Sequence, residues 1–258
     1  MKKEQALVSV VIPCFNDGVF LEEAVQSVNN STYKNVEIII VNDGSTDNTR
    51  EIGIQLQNRF TNVKYLEQNN AGPARARNYA ISTSRGKYIL PLDADDIISD
   101  NYIEDAVTIL HKHSNVKVVY SNAEFFGEKT GKWNLPEFSI EALAIDNMIF
   151  CSGIYRKSDY LEAGGYSDEM IWGWEDWEFW ISMLKNGGDV YKIPKTCFYY
   201  RIKPVSRRKG TNKAAKKKTI DLINNKHKEY IFSQLNGPLR YSRSLSKTIN
   251  SFINIFKF

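Results

Sequence analysis

Cysteine and histidine are both scarce in this chain of 258 residues, which contains three of each. Cys14, Cys151 and Cys197 are widely separated and form no Cys-x-x-Cys pair. This spacing excludes a dense disulfide framework and gives no zinc-binding pattern. Isolated cysteines are typical of a reducing compartment, and we therefore expect a cytoplasmic protein.

Long apolar runs are also absent from the sequence. No stretch approaches the roughly 18 apolar residues that a membrane-spanning helix needs, so no such span is predicted. Lys2 and Lys3 precede an apolar run at 6–15, which superficially resembles a secretory signal, but Pro13 lies inside the run and no small-residue cleavage site follows. We interpret the run as a buried strand.

The chain does have an ordinary globular composition, with its charge unevenly distributed. It is 42% hydrophobic and 25% charged, which excludes a disordered chain or a fibrous repeat. Residues 201–258 carry 15 Lys and Arg against 2 Asp and Glu, a net charge of +13, whereas residues 1–200 carry 19 against 28, a net charge of −9. An acidic body is therefore followed by a basic C-terminal region.

Apolar runs and helical patterns alternate along the first hundred residues. The runs that predict buried strands are 8–15, 36–41, 63–66 and 87–92, and helices are predicted between them. This alternation predicts right-handed βαβ crossovers and a mostly parallel sheet flanked by helices. Because ligands of such sheets bind at the carboxyl ends of the strands, we expect the site in the loops after Phe15, Val41 and Leu92.

The alternation changes after residue 101. Further helices are predicted at 102–113, 139–148, 174–186 and 213–234, and further strands at 116–120 and 190–201. The sequence contains no internal repeat and no low-complexity linker. It therefore predicts one α/β domain followed by a basic helical tail.

Three carboxylates follow the strand at 87–92 directly, in the segment 93–96 (Asp-Ala-Asp-Asp). Unpaired carboxylates this close would repel one another. A hard divalent cation would resolve the repulsion and keep coordination positions open for phosphate oxygens. The alternative is a solvated acidic turn in which Asp96 or Ser99 caps the following helix.

Other candidate residues lie at the ends of the first strands and at the start of the third helix. Asp43 could accept hydrogen bonds from a ribose or a base, or form an Asx turn. Phe15 offers an aromatic face for a base, or belongs to the core. Arg75 and Arg77 differ by about 200° around a helix, so we expect one of them to reach the site, with an ion-paired surface arginine as the alternative.

The segment 172–180 (Trp-Gly-Trp-Glu-Asp-Trp-Glu-Phe-Trp) contains four of the five tryptophans. Glu175 and Asp176 lie at a predicted helix start among these rings. Desolvation by the rings would raise a carboxylate pKa towards a value that suits a general base, and aromatic faces also stack on sugars. The alternative is a pair of helix N-terminal acids beside core tryptophans.

Five segments in this order resemble the family 2 glycosyltransferases with the GT-A fold. They are Val-Ser-Val-Val-Ile-Pro-Cys-Phe-Asn (8–16), Val-Asn-Asp-Gly-Ser-Thr-Asp (41–47), Ala-Arg-Asn (76–78), Leu-Asp-Ala-Asp-Asp (92–96) and Trp-Glu-Asp-Trp (174–177). The resemblance implies inverting, metal-dependent transfer of a sugar from a nucleotide diphosphate sugar, commonly a UDP-sugar, to an acceptor hydroxyl. It implies a role in cell-surface polysaccharide or glycolipid synthesis, with a saccharide or lipid-linked saccharide as acceptor.

The resemblance also implies a division of the chain. The GT-A (nucleotide-diphospho-sugar transferase) domain would occupy residues 1–206, with a nucleotide-binding half at about 1–100 and an acceptor half at about 101–206. A basic helical extension, residues 207–258, would follow.

Individual roles are implied by position. Asp176 would be the catalytic base, Glu175 would help to seat the acceptor, and Asp95 with Asp93 would bind Mn²⁺ or Mg²⁺. The residues expected to contact the nucleotide-sugar are Pro13, Phe15, Asn16, Asp43, Arg77, Asp93, Ala94 and Lys203. Those expected to contact the acceptor are Trp174 and Gly153.

One position departs from the family pattern. Members often carry a histidine in a Tyr-Arg-x-His-x-x-Ser segment, whereas residues 200–206 place Lys203 there. A protonated lysine cannot ligate a metal, so the coordination shell would be shorter. Lys203 could instead neutralise the diphosphate directly.

The basic extension has two interpretations. Cations beside the apolar residues of 220–223 and 252–256 would suit the anionic inner face of a membrane, giving a peripheral location there, or the apolar side would pack on the domain.

Two functions other than a transferase are also compatible with parts of the sequence. One is a catalytically silent sugar-nucleotide-binding scaffold; the other is a nucleic-acid binder, which the acidic body disfavours, so we expect no nucleic-acid partner.

Overall fold

The computed structural model describes residues 5–204 and 212–255. The predicted domain boundary at 206, the basic cluster at 207–209 and the apolar residue Phe256 lie outside the described residues.

The first half of the molecule is a parallel sheet with crossover helices. Its strands are β1 (Val8–Cys14), β2 (Val36–Asp43), β3 (Val63–Gln68) and β4 (Tyr88–Pro91), and its helices are α1 (Gly18–Asn29), α2 (Thr49–Arg59) and α3 (Pro73–Thr83). They lie in the order β3-β2-β1-β4, and every pairing among them is parallel. Val10 of β1 is fully buried between Ile38 and Leu90, since helices cover both faces of this strand.

The second half extends the same sheet. Its elements are β5 (Ile97–Ile98), α4 (Tyr102–Lys112), β6 (Val116–Gly127), β7 (Gly131–Trp133), α5 (Ile140–Leu143), β8 (Ile154–Arg156), α6 (Lys157–Ala163), α7 (Glu175–Leu184) and β9 (Asp189–Ile202). The full order is β3-β2-β1-β4-β8-β6-β9-β5, with β7 on β6. The long β6–β9 pairing is parallel, whereas β8 is antiparallel to both neighbours. The predicted α/β fold with a mostly parallel sheet is confirmed.

The predicted helix at 139–148 is mostly wrong, because only α5 forms there. Trp177 of α7 donates its indole N–H to the Leu143 carbonyl at 2.7 Å, and Trp180 donates to the Ile149 carbonyl at 3.0 Å. A continued helix would have used the Leu143 carbonyl for its own backbone N–H four residues on. Residues 144–153 are instead an irregular segment held against α7.

The C-terminal region is helical, as predicted, but it is broken into shorter pieces. These are α8 (Lys213–Lys226), α9 (Lys228–Leu235), a 3₁₀ turn (Arg243–Leu245) and α10 (Ser246–Ile255). The break comes at His227, whose Nε2 lies 2.6 Å from Oε1 of the fully buried Glu178 of α7. The Tyr230 hydroxyl donates to the Ile140 carbonyl at 2.6 Å. Packing on the domain, one of the two interpretations, therefore describes α8 and α9.

α10 is amphipathic and leaves apolar side chains at the surface. Phe252 is 61% exposed and Ile255 is 69% exposed. Within the described ranges, no helix combines the length and apolarity that crossing a bilayer would require.

Candidate active site

The loops after β1, β2 and β4 meet at the carboxyl edge of the parallel strands, as the sequence predicts. Asn16 joins the first two: its backbone N–H donates to Ser45 Oγ at 3.0 Å, and its Oδ1 accepts from the Thr46 N–H at 2.8 Å. Asn16 has φ of +56°, a conformation that asparagine tolerates better than most residues. Asp17 lies in the loop after β1 and is joined to the turn after β4 by Lys203.

Phe15 lies at this edge with its side chain open to solvent. It is 48% exposed, although the preceding Cys14 is 1% exposed and Pro13 is partly buried. The core alternative for Phe15 is therefore wrong. Its ring is available to a planar ligand, and the base contact stays a prediction.

Asp43 ends β2 and is almost fully buried. Its Oδ1 accepts from Gln68 Nε2 at 2.7 Å and from the Ala71 N–H at 2.8 Å, and its Oδ2 accepts from the Gly72 N–H at 2.9 Å. The side-chain bond that holds this turn comes from Asn42 instead, whose Oδ1 accepts from the Ser45 N–H three residues on. Asp43 thus fixes the loop that starts α3; its contact with a base or ribose stays a prediction.

Arg77 of α3 connects the two halves of the molecule. Its Nη2 lies 2.6 Å from Asp93 Oδ1, its Nη1 lies 2.9 Å from Glu175 Oε1, and its side chain is 2% exposed. Arg75 points away and pairs with the exposed Asp168 at 3.3 Å. Of the two arginines, Arg77 reaches the site, and its guanidinium neutralises an acid from each half.

Lys203, at the end of β9, joins two further carboxylates. Its Nζ lies 2.7 Å from Asp95 Oδ2 and 2.5 Å from Asp17 Oδ1. Burial and the nearby Asp93 raise the pKa of Asp95, and the hydrogen bond from Lys203 opposes the rise. Burial lowers the pKa of Lys203, but its hydrogen bonds to Asp17 and Asp95 outweigh this effect and raise it overall. Lys203 is therefore protonated at neutral pH.

Asp96 is completely buried beneath the same turn. Its Oδ1 accepts from the Arg201 N–H at 2.9 Å, and its Oδ2 has no hydrogen-bond partner among the described residues. Burial, followed by the charge of Asp95, raises the pKa of Asp96 well above its ordinary value. The alternative of a solvated turn that caps α4 is wrong, since Asn101 precedes that helix.

The acidic turn has the charge and the atoms that a divalent cation needs. Asp93, Asp96 and Cys151 each offer a ligand atom, and these atoms lie within 4.8 Å of one another. The Cys151 thiol donates to Asp93 Oδ2 at 3.4 Å, and burial raises its pKa, which favours the neutral thiol over the thiolate. The Asp93 carboxylate and the orphaned Asp96 Oδ2 fit a hard cation such as Mn²⁺ or Mg²⁺, whereas Asp95, the other predicted ligand, is outside this cluster and pairs with Lys203.

Asp176 lies in the first turn of α7, next to the Arg77-bound Glu175. Its Oδ2 accepts from Asn147 Nδ2 at 2.9 Å, and its Oδ1 accepts from the Trp177 N–H at 2.8 Å. Burial, and then Glu175, raise the pKa of Asp176 to about 7, against the opposing effect of Arg77. A carboxylate with this pKa is suited to accept a proton at neutral pH.

The tryptophans of 172–180 divide between core and surface. Trp177 and Trp180 are fully buried, as the packing alternative predicts, whereas Trp174 is partly exposed. Trp174 has φ of +65°, an uncommon conformation for a bulky residue and one that is frequent at functional sites.

Gly153 lies against the core. A Cβ on Gly153 would lie 3.1 Å from Trp180 and from Val118, so packing accounts for this glycine. Its predicted contact with an acceptor is untested.

Several residues of the site were missed by sequence reasoning. The guanidinium carbon of Arg243 lies 4.8 Å from the ring centre of Trp174, and its Nη1 lies 2.5 Å from Asp146 Oδ1. Asn147, which holds Asp176, follows Asp146 directly. Neither Arg243 nor Asn147 lies in one of the sequence motifs, because each reaches the site only through the tertiary packing of the irregular segment and of the C-terminal region.

Known proteins are similar to this chain in sequence and in fold. Residues 9–174 match the family described as Glycosyl transferase family 2. The chain is 37% identical to Glycosyltransferase GlyG of Streptococcus pneumoniae serotype 4 over 148 residues, covering 55% of this chain and 49% of GlyG. It is 34% identical to the minor teichoic acid biosynthesis protein GgaB of Bacillus subtilis over 131 residues, covering 49% of this chain and 15% of GgaB. The chain thus spans half or less of the length of these two relatives.

A structural likeness supports the fold. The crystal structure of S. aureus TarS 1-349 in complex with UDP-GlcNAc matches with a TM-score of 0.73 at 20% identity, covering 97% of this chain and 76% of that TarS fragment. At this identity the likeness concerns the fold, and it confirms the predicted GT-A architecture. The family match over more than half of the sequence shows that the chain belongs to glycosyltransferase family 2.

Proposed function

We propose that the chain transfers a sugar from a UDP-sugar to an acceptor hydroxyl, with inversion at the anomeric carbon. One observation carries this proposal: Arg77 ties Asp93, at the strand edge, to Glu175, which is adjacent to a carboxylate with a pKa of about 7. One buried arginine thereby joins the edge at which the diphosphate would bind to the helix start that would supply the general base. The names of GgaB and of the TarS complex support a UDP-sugar donor and a cell-surface saccharide acceptor, which is either free or lipid-linked.

The donor would bind across the carboxyl edge of β1, β2 and β4. The exposed ring of Phe15 would stack on the base, with Pro13 and Asn16 shaping the loop beneath it. Asp43 would accept a hydrogen bond from the base or ribose in place of one that it now accepts from Gln68, Ala71 or Gly72. Asp93 and Lys203 would lie at the diphosphate.

Asp93 and Asp95 would hold the divalent cation. When bound, Mn²⁺ or Mg²⁺ supplies positive charge that offsets the negative charge of the departing diphosphate. Arg77 keeps Asp93 in place by a charge-assisted hydrogen bond of 2.6 Å, so that the orientation of this ligand does not depend on the ion.

Asp176 would remove the proton from the acceptor hydroxyl. The Asn147 amide and the Trp177 N–H orient its carboxylate, and both donate to it, so the ionised form is supported within a desolvated site. The acceptor oxygen then attacks the anomeric carbon from the face opposite the diphosphate, which inverts the configuration. Glu175 is held by Arg77 and would help to seat the acceptor against Trp174.

Product analysis tests this proposal. A panel of UDP-sugars, with Mn²⁺ and candidate saccharide or glycolipid acceptors, should give one donor that releases UDP only when an acceptor is present. NMR of the product should show the anomeric configuration opposite to that of the donor. A retained configuration would refute the single-base mechanism, and nucleotide binding without any turnover would favour the silent scaffold.

Membrane contact is proposed for α10. Its exposed Phe252 and Ile255 lie in a basic region of the chain, and apolar side chains beside cations suit an anionic lipid surface. Sedimentation with anionic vesicles should recover the wild type and lose a Phe252→Ser, Ile255→Ser variant. Equal recovery of both proteins would contradict this proposal.

A further inference from the structure

Lys203 occupies an unusual position for a cation. It follows the last residue of β9, Ile202, and its ammonium lies between a carboxylate from the loop after β1 and one from the turn after β4. Its side chain is only 17% exposed, and Nζ lies 5.4 Å from the ring centre of Phe20. This is an enclosed ion triad and not a solvated surface pair.

The triad has consequences for Asp17 and Asp95. One Nζ lies 2.5 Å from Asp17 and 2.7 Å from Asp95, so the two carboxylates approach each other closely enough to repel without it. Burial raises the pKa of Asp17, and the hydrogen bond from Lys203 opposes the rise. The ammonium therefore offsets the repulsion between the two carboxylates and holds both in place.

The same contact limits what else Asp95 can bind. Asp95 Oδ2 already accepts a charge-assisted hydrogen bond from Lys203, and a metal ion on that oxygen would have to displace the ammonium. Two positive charges cannot share one carboxylate oxygen without mutual repulsion. A diphosphate offers the displaced ammonium new oxygen partners, so metal and nucleotide would favour each other.

We infer that Lys203 is a resident cation of the donor site, which competes with the divalent ion for Asp95 and itself binds the diphosphate. The inference rests on the proposed UDP-sugar donor, and it adds that the nucleotide controls metal binding at that site. Without nucleotide, the metal binds weakly because Lys203 occupies Asp95. With nucleotide, Lys203 moves onto the diphosphate, and Asp95 becomes available to the metal.

Metal binding to the nucleotide-free protein tests the competition. Titration of Mn²⁺, followed by the EPR signal of the free ion, should show a Kd for Lys203→Met that is roughly 10- to 100-fold lower than for the wild type, the range over which groups beside a ligand alter metal affinity. Lys195→Met is the matched control, since Lys195 lies on β9, the strand that Lys203 follows, and pairs with Asp105 at 3.3 Å. The control should match the wild type.

UDP binding in the presence of a chelator tests the second half of the inference. The wild type and Lys203→Arg, which keeps the charge, should retain measurable UDP affinity by calorimetry. In the chelator, Lys203→Met should bind UDP at least about tenfold more weakly than the wild type, and Mn²⁺ should restore most of the lost affinity. Lys203→Gln, which still donates a hydrogen bond to a carboxylate, replaces Lys203→Met if the methionine variant does not fold.

The outcomes separate the inference from the proposed function. Unchanged Mn²⁺ affinity in Lys203→Met, or unchanged UDP affinity in the chelator, would overturn the role of Lys203 while UDP still binds the wild type. Failure of the wild type to bind UDP even with Mn²⁺ would instead overturn the proposed donor.

Discussion

The two halves of the site are held together by different means. At the proposed donor edge, the strand-end loops are fixed to one another and to the start of α3: Asn16 bonds the loop after β2, and Asp43 bonds the backbone that precedes α3. On the acceptor side, Asp176 is oriented by Asn147 from an irregular segment, and Trp174 is covered by Arg243 from the C-terminal region.

The parallel sheet determines the position of the first group of residues, whereas segments later in the chain determine the position of the second. Parallel strands bring their carboxyl ends together in any doubly wound sheet, so the donor edge follows from the topology. The proposed acceptor side depends on segments outside the strand ends, namely the irregular segment and the C-terminal helices, so substitution there should alter the acceptor contacts without disturbing the sheet. Arg77 is the side chain that spans both.

Substitution of the proposed base should have the largest effect on turnover. Asp176→Asn keeps the size of the side chain but cannot accept the proton, so transfer should fall by about 10²- to 10⁴-fold. UDP binding should match the wild type, since Asp176 belongs to the acceptor side. Asp168→Asn, which changes an exposed acid paired with Arg75, is the control and should remain active. Near-normal transfer by Asp176→Asn would remove the base assignment.

Breaking the link between the halves should impair both stability and activity. Arg77→Met leaves Asp93 and Glu175 without their buried partner, and loss of one member of a buried ion network costs about 3–5 kcal/mol. Arg75→Met, two residues away, removes an exposed pair and should cost at most about 1 kcal/mol. Denaturant unfolding measures the free energy of unfolding of both variants. Equal losses of this free energy would contradict the bridging role of Arg77.

The pH dependence of transfer should report on the acceptor side. With the pKa of Asp176 at about 7, the base is protonated below that pH and ionised above it, so kcat/KM should rise about tenfold per pH unit and level off above about 7. The charged groups that act on it are Glu175 and Asp93, which raise the pKa, and Arg77, which lowers it. A profile that is flat from about pH 5.5 to 8 would contradict this titration.

Substitution in the C-terminal region should have the smallest effect, and this effect should be confined to acceptor binding. Arg243→Ala removes the guanidinium stacked on Trp174, and because this contact of about 1 kcal/mol helps to place the ring, its loss should raise the KM for the acceptor by at most roughly fivefold. The KM for the donor should not change. Lys247→Ala, which breaks a surface pair with Glu141, is the matched control. A rise in donor KM would show that the division between the sides is wrong.

Sequence patterns predicted the strand-end loops well, because each loop follows an apolar run. Only Ser9 interrupts the run before the end of β1 and only Glu37 that of β2, and the three acids of 93–96 come just after β4. The pairing of Lys203 with Asp17, by contrast, joins residues 186 positions apart and needs the whole sheet to be in place. No spacing rule detects such a contact.

The acceptor side was predicted only in part for a related reason. The helix start at Glu175 and Asp176 was visible from the acids beside aromatic rings. The irregular segment at 144–153 was not, because the Trp177 indole captures the Leu143 carbonyl and overrides local helix propensity. Arg243 approaches Trp174 only after the C-terminal helices have packed on the domain.

UDP binding by two aspartate variants tests the division of the site most directly. Calorimetric titration with Mn²⁺ should show that Asp176→Asn binds UDP as the wild type does, whereas Asp93→Asn, which weakens both the metal site and the contact with Arg77, loses binding by at least about tenfold. Wild-type affinity in Asp93→Asn, or lost affinity in Asp176→Asn, would contradict the assignment of the donor to the strand edge and of the base to α7.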